Sequence, residues 1–200
     1  LIVAGDATTT ANNIIANELL FRLGIGSLIF VFFLDVVMAW ALYYLLKPVN
    51  RSLSLFAAWF GLIHVAIAGY ALANHFSVLQ LLSGADYLAV FETSQLHAQV
   101  MFFLDLHKHG FDMTQIYMGL WLLPFGYLVF KSGLVYKSGY VPKIVGVLLI
   151  IGCFGYLIDF FTLILFPGSD VAIGGFTGIG EILAPFWLLF LAGKIPEMKS

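Results

Sequence analysis

Hydrophobic positions fall into five long runs, at about residues 19–46, 53–82, 111–130, 142–166 and 174–193, broken by short polar or glycine- and proline-bearing segments. Each run approaches or exceeds the roughly 20 residues needed to cross ~30 Å of hydrocarbon as a helix, so each predicts a transmembrane span. Residues 1–17 form a short polar opening. The first run stops at Lys47-Pro48, where proline disfavours helical geometry in the residue before it and lysine suits the interface. Pro142 suits a first helical turn and Pro167-Gly168 a stop. Residues 92–109 differ: Leu96, Val100, Phe103 and Leu104 make an apolar stripe, while Glu92, Gln95, Gln99 and Asp105 lie largely elsewhere around the helix. That pattern predicts an interfacial amphipathic helix.

Composition supports the same class. With 62% hydrophobic residues, 10% charged residues and a mean hydropathy of +1.00, the chain lies outside the range of soluble domains. The expected fold is an all-α integral membrane protein, a single membrane domain over residues 1–200 whose first partner is the lipid bilayer. A net charge of -2 excludes the basic footprint that nucleic-acid binding requires. Cys153 is the single cysteine and lies in an apolar run, where a thiol is an inert small hydrophobe.

Charge distribution orients the chain. Seven of nine Lys and Arg (Lys47, Arg51, Lys131, Lys137, Lys143, Lys194, Lys199) fall in the first-to-second loop, the third-to-fourth loop and the C-terminal tail. The positive-inside rule puts these segments and the C-terminus in the cytoplasm of a bacterial inner membrane, with residues 1–17 outside. An outside N-terminus predicts a further transmembrane helix, or else a cleaved signal peptide, ahead of Leu1, which gives six spans in the full protein.

Ionisable residues inside hydrocarbon are costly and need a partner or a shared interior. Asp35 lies twelve residues before Lys47, His64 thirteen after Arg51 and Glu181 thirteen before Lys194, all about 18–20 Å above the basic level. Asp159 and Gln115 lie sixteen residues from Lys143 and Lys131, about 24 Å up. These five are the candidate ligand- or ion-binding residues. Together they offer hard oxygen ligands and one imidazole, a set able to hold a cation or relay protons. Alternatively, each separately hydrogen-bonds a neighbouring helix and fixes packing.

Other polar groups lie toward the outer side. Glu18 precedes Arg22 by four residues, the favourable order for a helical ion pair at the interface. His97, Asp105, His107 and His109 are an outer-side metal candidate on generic ligand chemistry. No cofactor is required by the sequence. The glycine-rich segment 174–180 lacks the GKS/T ending of a phosphate loop, and Gly174 and Gly178, spaced as GxxxG, predict close helix approach.

Several stretches carry a family resemblance: Gly5-Asp6-Ala7 through Glu18, Phe21-Arg22-Leu23-Gly24, Leu46-Lys47-Pro48-Val49-Asn50-Arg51, Leu104-Asp105-Leu106-His107 with Gly110, Gly126-Tyr127-Leu128-Val129, Pro142 to Leu149, Gly155-Tyr156-Leu157-Ile158-Asp159, and Gly180-Glu181. Over nearly its whole length the chain resembles an uncharacterised bacterial family of multi-pass membrane proteins defined only as a domain of unknown function. The resemblance implies one more helix before Leu1 and places Arg22, Asp159 and Glu181 in matching segments; His64 is not part of it. It implies no activity. Three function classes follow from the residues: binding or movement of a small solute, ion or proton; a non-catalytic accessory subunit docked on partner membrane subunits or on further copies of itself; and an intramembrane metal-dependent hydrolase.

Overall fold

The computed structural model describes residues 1–135, 141–166 and 173–192. The expected cytoplasmic residues Lys137, Lys194 and Lys199, and parts of the two loops near 131–141 and 167–173, lie outside the described residues. Among the described residues the protein is all-α, with helices α1 (Ala7–Ala16), α2 (Glu18–Leu46), α3 (Arg51–Leu81), α4 (Thr93–Asp112), α5 (Thr114–Val135), α6 (Val141–Leu165), α7 (Gly174–Thr177) and α8 (Ile179–Ala192), plus one 3₁₀ turn at Asp86–Val90.

Local chemistry sets the helix starts. Asp6 caps α1: Oδ1 accepts from the Thr9 amide at 2.8 Å and Oδ2 from the Thr9 hydroxyl at 2.7 Å. Asn50 Oδ1 accepts from the Leu53 amide at 3.0 Å and opens α3. Glu92 and Gln95 form a capping box on α4. Between α2 and α3 the Lys47 ammonium lies 3.6 Å from the Tyr44 ring centroid.

The Thr9 hydrogen bonds hold the Asp6 carboxyl below the usual carboxylate range. A depressed native value means that the cap contributes fully above the ordinary range and is lost as pH falls through the native value. The protection of the Thr9 and Thr10 amides, measured as exchange relative to the unstructured chain at the same pH, is therefore expected to fall on acidification through that window, and Asp6→Ala to remove the dependence.

Four helical stretches are long and apolar enough to cross a membrane: Glu18–Leu46, Arg51–Leu81, Thr93–Ser132 and Lys143–Leu165. The expected fifth span corresponds to α7 and α8, an apolar helical region over residues 174–192 interrupted at Gly178. The expected boundary near residue 110 is also softer. Met113 keeps right-handed helical geometry (φ -62, ψ -23), so backbone direction passes from α4 into α5 without a loop.

Contacts group into two units. The first comprises Leu1–Asp35 and Val65–Met113. Its core joins Ile14, Phe21, Ile25, Leu72, Val78, Val100 and Leu104, so the apolar stripe expected on α4 supplies buried residues. Gly110 allows close approach of α4 to α3, because a Cβ there would lie 2.8 Å from Ala71 Cβ.

The second unit comprises Val36–His64 and the described residues from Thr114 onward. Its core runs through Leu42, Leu46, Ala57, Trp121, Leu122, Phe125, Leu128, Val129, Val145, Leu149, Cys153, Ala184 and Trp187. Cys153 is buried there, as an inert apolar residue would be. α5 packs along α6 at backbone distance: a Cβ on Gly146 would lie 2.5 Å from the Gly126 carbonyl oxygen and 2.6 Å from the Phe130 nitrogen. Small residues let membrane helices gain van der Waals contact where lipid supplies no hydrophobic drive.

A candidate polar centre on the last helices

In the second unit, Asp159 near the end of α6 accepts two backbone hydrogen bonds, from Ile173 N–H to Oδ1 and from Gly174 N–H to Oδ2, each at 2.7 Å. A helix N-terminus leaves backbone N–H groups without intrahelical partners, and a carboxylate satisfies them with charge of favourable sign. Both oxygens of Asp159 are thus engaged in starting α7.

Tyr156 lies three residues earlier on α6, on nearly the same helix face. Its hydroxyl interacts with the Glu181 carboxyl and feels the charge of Asp159. Glu181 lies in the first turn of α8, and its Oε1 is buried with no hydrogen-bond partner among the described residues. Two acids from separate helices therefore meet at one tyrosine.

The glycines of 174–180 serve this arrangement, and Gly174 of the expected GxxxG pair does lie close against α6. A Cβ on Gly174 would lie 2.7 Å from Asp159 Oδ2 and 3.4 Å from the Tyr156 ring, so glycine admits the capping carboxylate. A Cβ on Gly178 would lie 3.1 Å from Glu181 Oε1 and 3.6 Å from the Tyr156 hydroxyl. Backbones approach closely at Gly174, whose Cα would lie 3.3 Å from a Cβ on Gly155 of α6, and at Gly180, where a Cβ would lie 2.7 Å from the Leu149 nitrogen of α6.

The remaining candidates of the proposed layer are placed differently. His64 is half-buried on α3, with Nδ1 3.4 Å from the Thr114 carbonyl oxygen. Gln115 is half-buried on α5, and Asp35 is half-buried on α2 and belongs to the first unit. No contact described for His64 or Gln115 joins them to Asp159 and Glu181. Equal height along separate helices does not fix the direction in which each side chain points.

In the first unit, Arg22 Nε donates to Glu18 Oε1 at 2.6 Å with both side chains about half exposed, the expected i,i+4 pair. The outer-side metal candidates do not converge. His97 is buried, Asp105 is exposed, and His109 lies 4.0 Å from Asp112. His107 turns to α3 instead: its Nδ1 donates to the Ala71 carbonyl at 3.1 Å, and its ring stacks on His75 with centroids 3.8 Å apart. Successive helical residues rotate by about 100°, which spreads these four around α4. Among the described residues no group of three or more His, Cys, Asp or Glu is arranged to hold a metal ion.

Sequence reasoning found Asp159 and Glu181 but not Tyr156 or the His75–His107 pair. The available signal for Tyr156 was its three-residue spacing from an intramembrane acid.

Comparison with other proteins gives a family and no activity. An uncharacterised protein of Archaeoglobus fulgidus is 33% identical over 170 residues, covering 85% of this chain and 84% of that protein. No solved structure matches the chain. Residues 1–192 match the family model described as domain of unknown function DUF4386, and the chain belongs to that family.

Proposed function

We propose that the protein binds or moves a small solute, ion or proton across or within the membrane, with Glu181 as the working group and Asp159 and Tyr156 as its support. The observation that carries this reading is the buried, unpartnered Glu181 Oε1 beside Tyr156. A buried acceptor without a donor is unfavourable, and such groups persist where a ligand or proton completes them. Asp159, with both oxygens committed to backbone amides, is the scaffold rather than the exchanging group. The reading places the protein in a bacterial inner membrane with the basic segments and the C-terminus cytoplasmic, in keeping with the positive-inside rule.

The test is complementation in a strain lacking the gene. Glu181→Gln keeps the size and an acceptor oxygen but cannot carry charge. It is expected to insert and fold normally yet reduce the native phenotype at least tenfold. Unchanged complementation by a folded Glu181→Gln protein would leave the centre a packing device and favour the accessory-subunit alternative. The hydrolase alternative requires at least three converging ligands, which the described residues do not supply.

A further inference from the structure

Beside the polar centre, residues of α2, α5, α6 and α8 in the second unit enclose a cavity of about 500 Å³. Met38, Leu42, Trp121, Phe125 and Leu188 are among its walls, and among the described residues Glu181 is the single charged one lining it. The volume falls within the range of sites that bury drug-sized molecules. Trp121 and Phe125 stack at 5.2 Å with planes 7° apart, giving one wall a flat, rigid surface.

Three features narrow the occupant. Apolar walls favour an apolar body, and a water filling the space would find few of the two to four polar partners it needs. Glu181 brings a carboxylate to the apolar lining, and a carboxylate favours a cation or a neutral donor over an anion. Met38 is 39% and Leu189 71% exposed at the edges of the cavity, on apolar helix surface of the kind that faces lipid, so entry is from the bilayer.

We infer that this cavity binds a membrane-dissolved molecule with a long apolar body and one hydroxyl or ammonium group, whose donor hydrogen-bonds the carboxylate of Glu181, which lines the cavity. The inference rests on reading Glu181 as the working acid and adds the chemical class of what it meets.

Native mass spectrometry of the detergent-solubilised protein, with dodecylamine, dodecanol and dodecyl methyl ether as probes, tests it. The chains are alike and only the first two heads can donate. The amine and the alcohol are expected to be retained at least tenfold more tightly than the ether. Glu181→Leu is expected to erase that difference, and Glu181→Gln to keep the preference for the alcohol while losing that for the amine. Circular dichroism of both variants checks that they fold, and Glu181→Gln keeps an acceptor for the Tyr156 hydroxyl should Glu181→Leu not fold. Equal retention of all three probes, or a preference that survives Glu181→Leu, overturns the proposal and marks the cavity as a groove for lipid chains. Lost head-group preference alongside failed complementation by Glu181→Gln overturns the ligand class alone; retained complementation overturns the functional reading beneath it.

Discussion

Gly146→Ala is expected to destabilise the protein by about 3 kcal/mol, lowering its thermal midpoint by roughly 10 °C. The added methyl would lie 2.5 Å from the Gly126 carbonyl oxygen and 2.6 Å from the Phe130 nitrogen, so relief requires moving backbone rather than turning a side chain. Overpacking of cores costs about 1–3 kcal/mol, and contact with backbone belongs at the upper end. Gly126→Ala is expected to behave alike, because its methyl would lie 2.7 Å from the Gly146 carbonyl oxygen. Gly24→Ala and Gly69→Ala are the controls. Nothing lies within 4 Å of a Cβ at either position, and both are expected to be neutral or to gain up to about 1 kcal/mol from helix propensity. Thermal unfolding in detergent, followed by circular dichroism, measures all four. Equal midpoints for Gly146→Ala and Gly24→Ala would show that α5 and α6 do not pack at backbone distance.

Asp159→Ala is the second large effect, again about 3 kcal/mol, because it strips two backbone N–H groups of a charged acceptor at once. Hydrogen bonds to charged groups contribute about 1.5–3 kcal/mol each, and the half-buried position of Asp159 lowers the sum. Asp159→Asn retains one carbonyl acceptor and is expected to lose about half as much. Amide exchange at Ile173 and Gly174 is expected to rise most. Glu181→Leu is expected to change stability by less than about 1 kcal/mol, since it removes a buried oxygen without a partner but also the carboxyl that the Tyr156 hydroxyl meets. Two acids that look alike in the sequence are thereby assigned opposite roles: one holds a helix start, the other awaits a donor. A neutral Asp159→Ala would refute this division.

Membrane character and helical class were legible from the apolar runs, since run length and composition are local properties. The ends of α2 and α3 fell close to expectation because Lys47-Pro48 and Asn50 act through their immediate neighbours. The last helical region was less legible. Gly178 interrupts it, and the split depends on carboxylates from α6 and α8 occupying space that the glycines leave. The stripe on α4 was read correctly as one apolar face, but His107 was grouped with its sequence neighbours. Its partner is His75, thirty-two residues earlier on α3.

By itself, the sequence determined that the chain is helical and carries runs long and apolar enough to cross a membrane, because hydropathy and run length are read along the chain without knowing what packs on it. Only the tertiary structure decided which acids meet. Counting yields height along a helix but not the direction a side chain faces, and that direction is set by which helices pack. Packing here follows from glycines such as Gly126 and Gly146 that bring two backbones together. Asp159, Tyr156 and Glu181 consequently share a centre, while no described contact brings His64 and Gln115 to it.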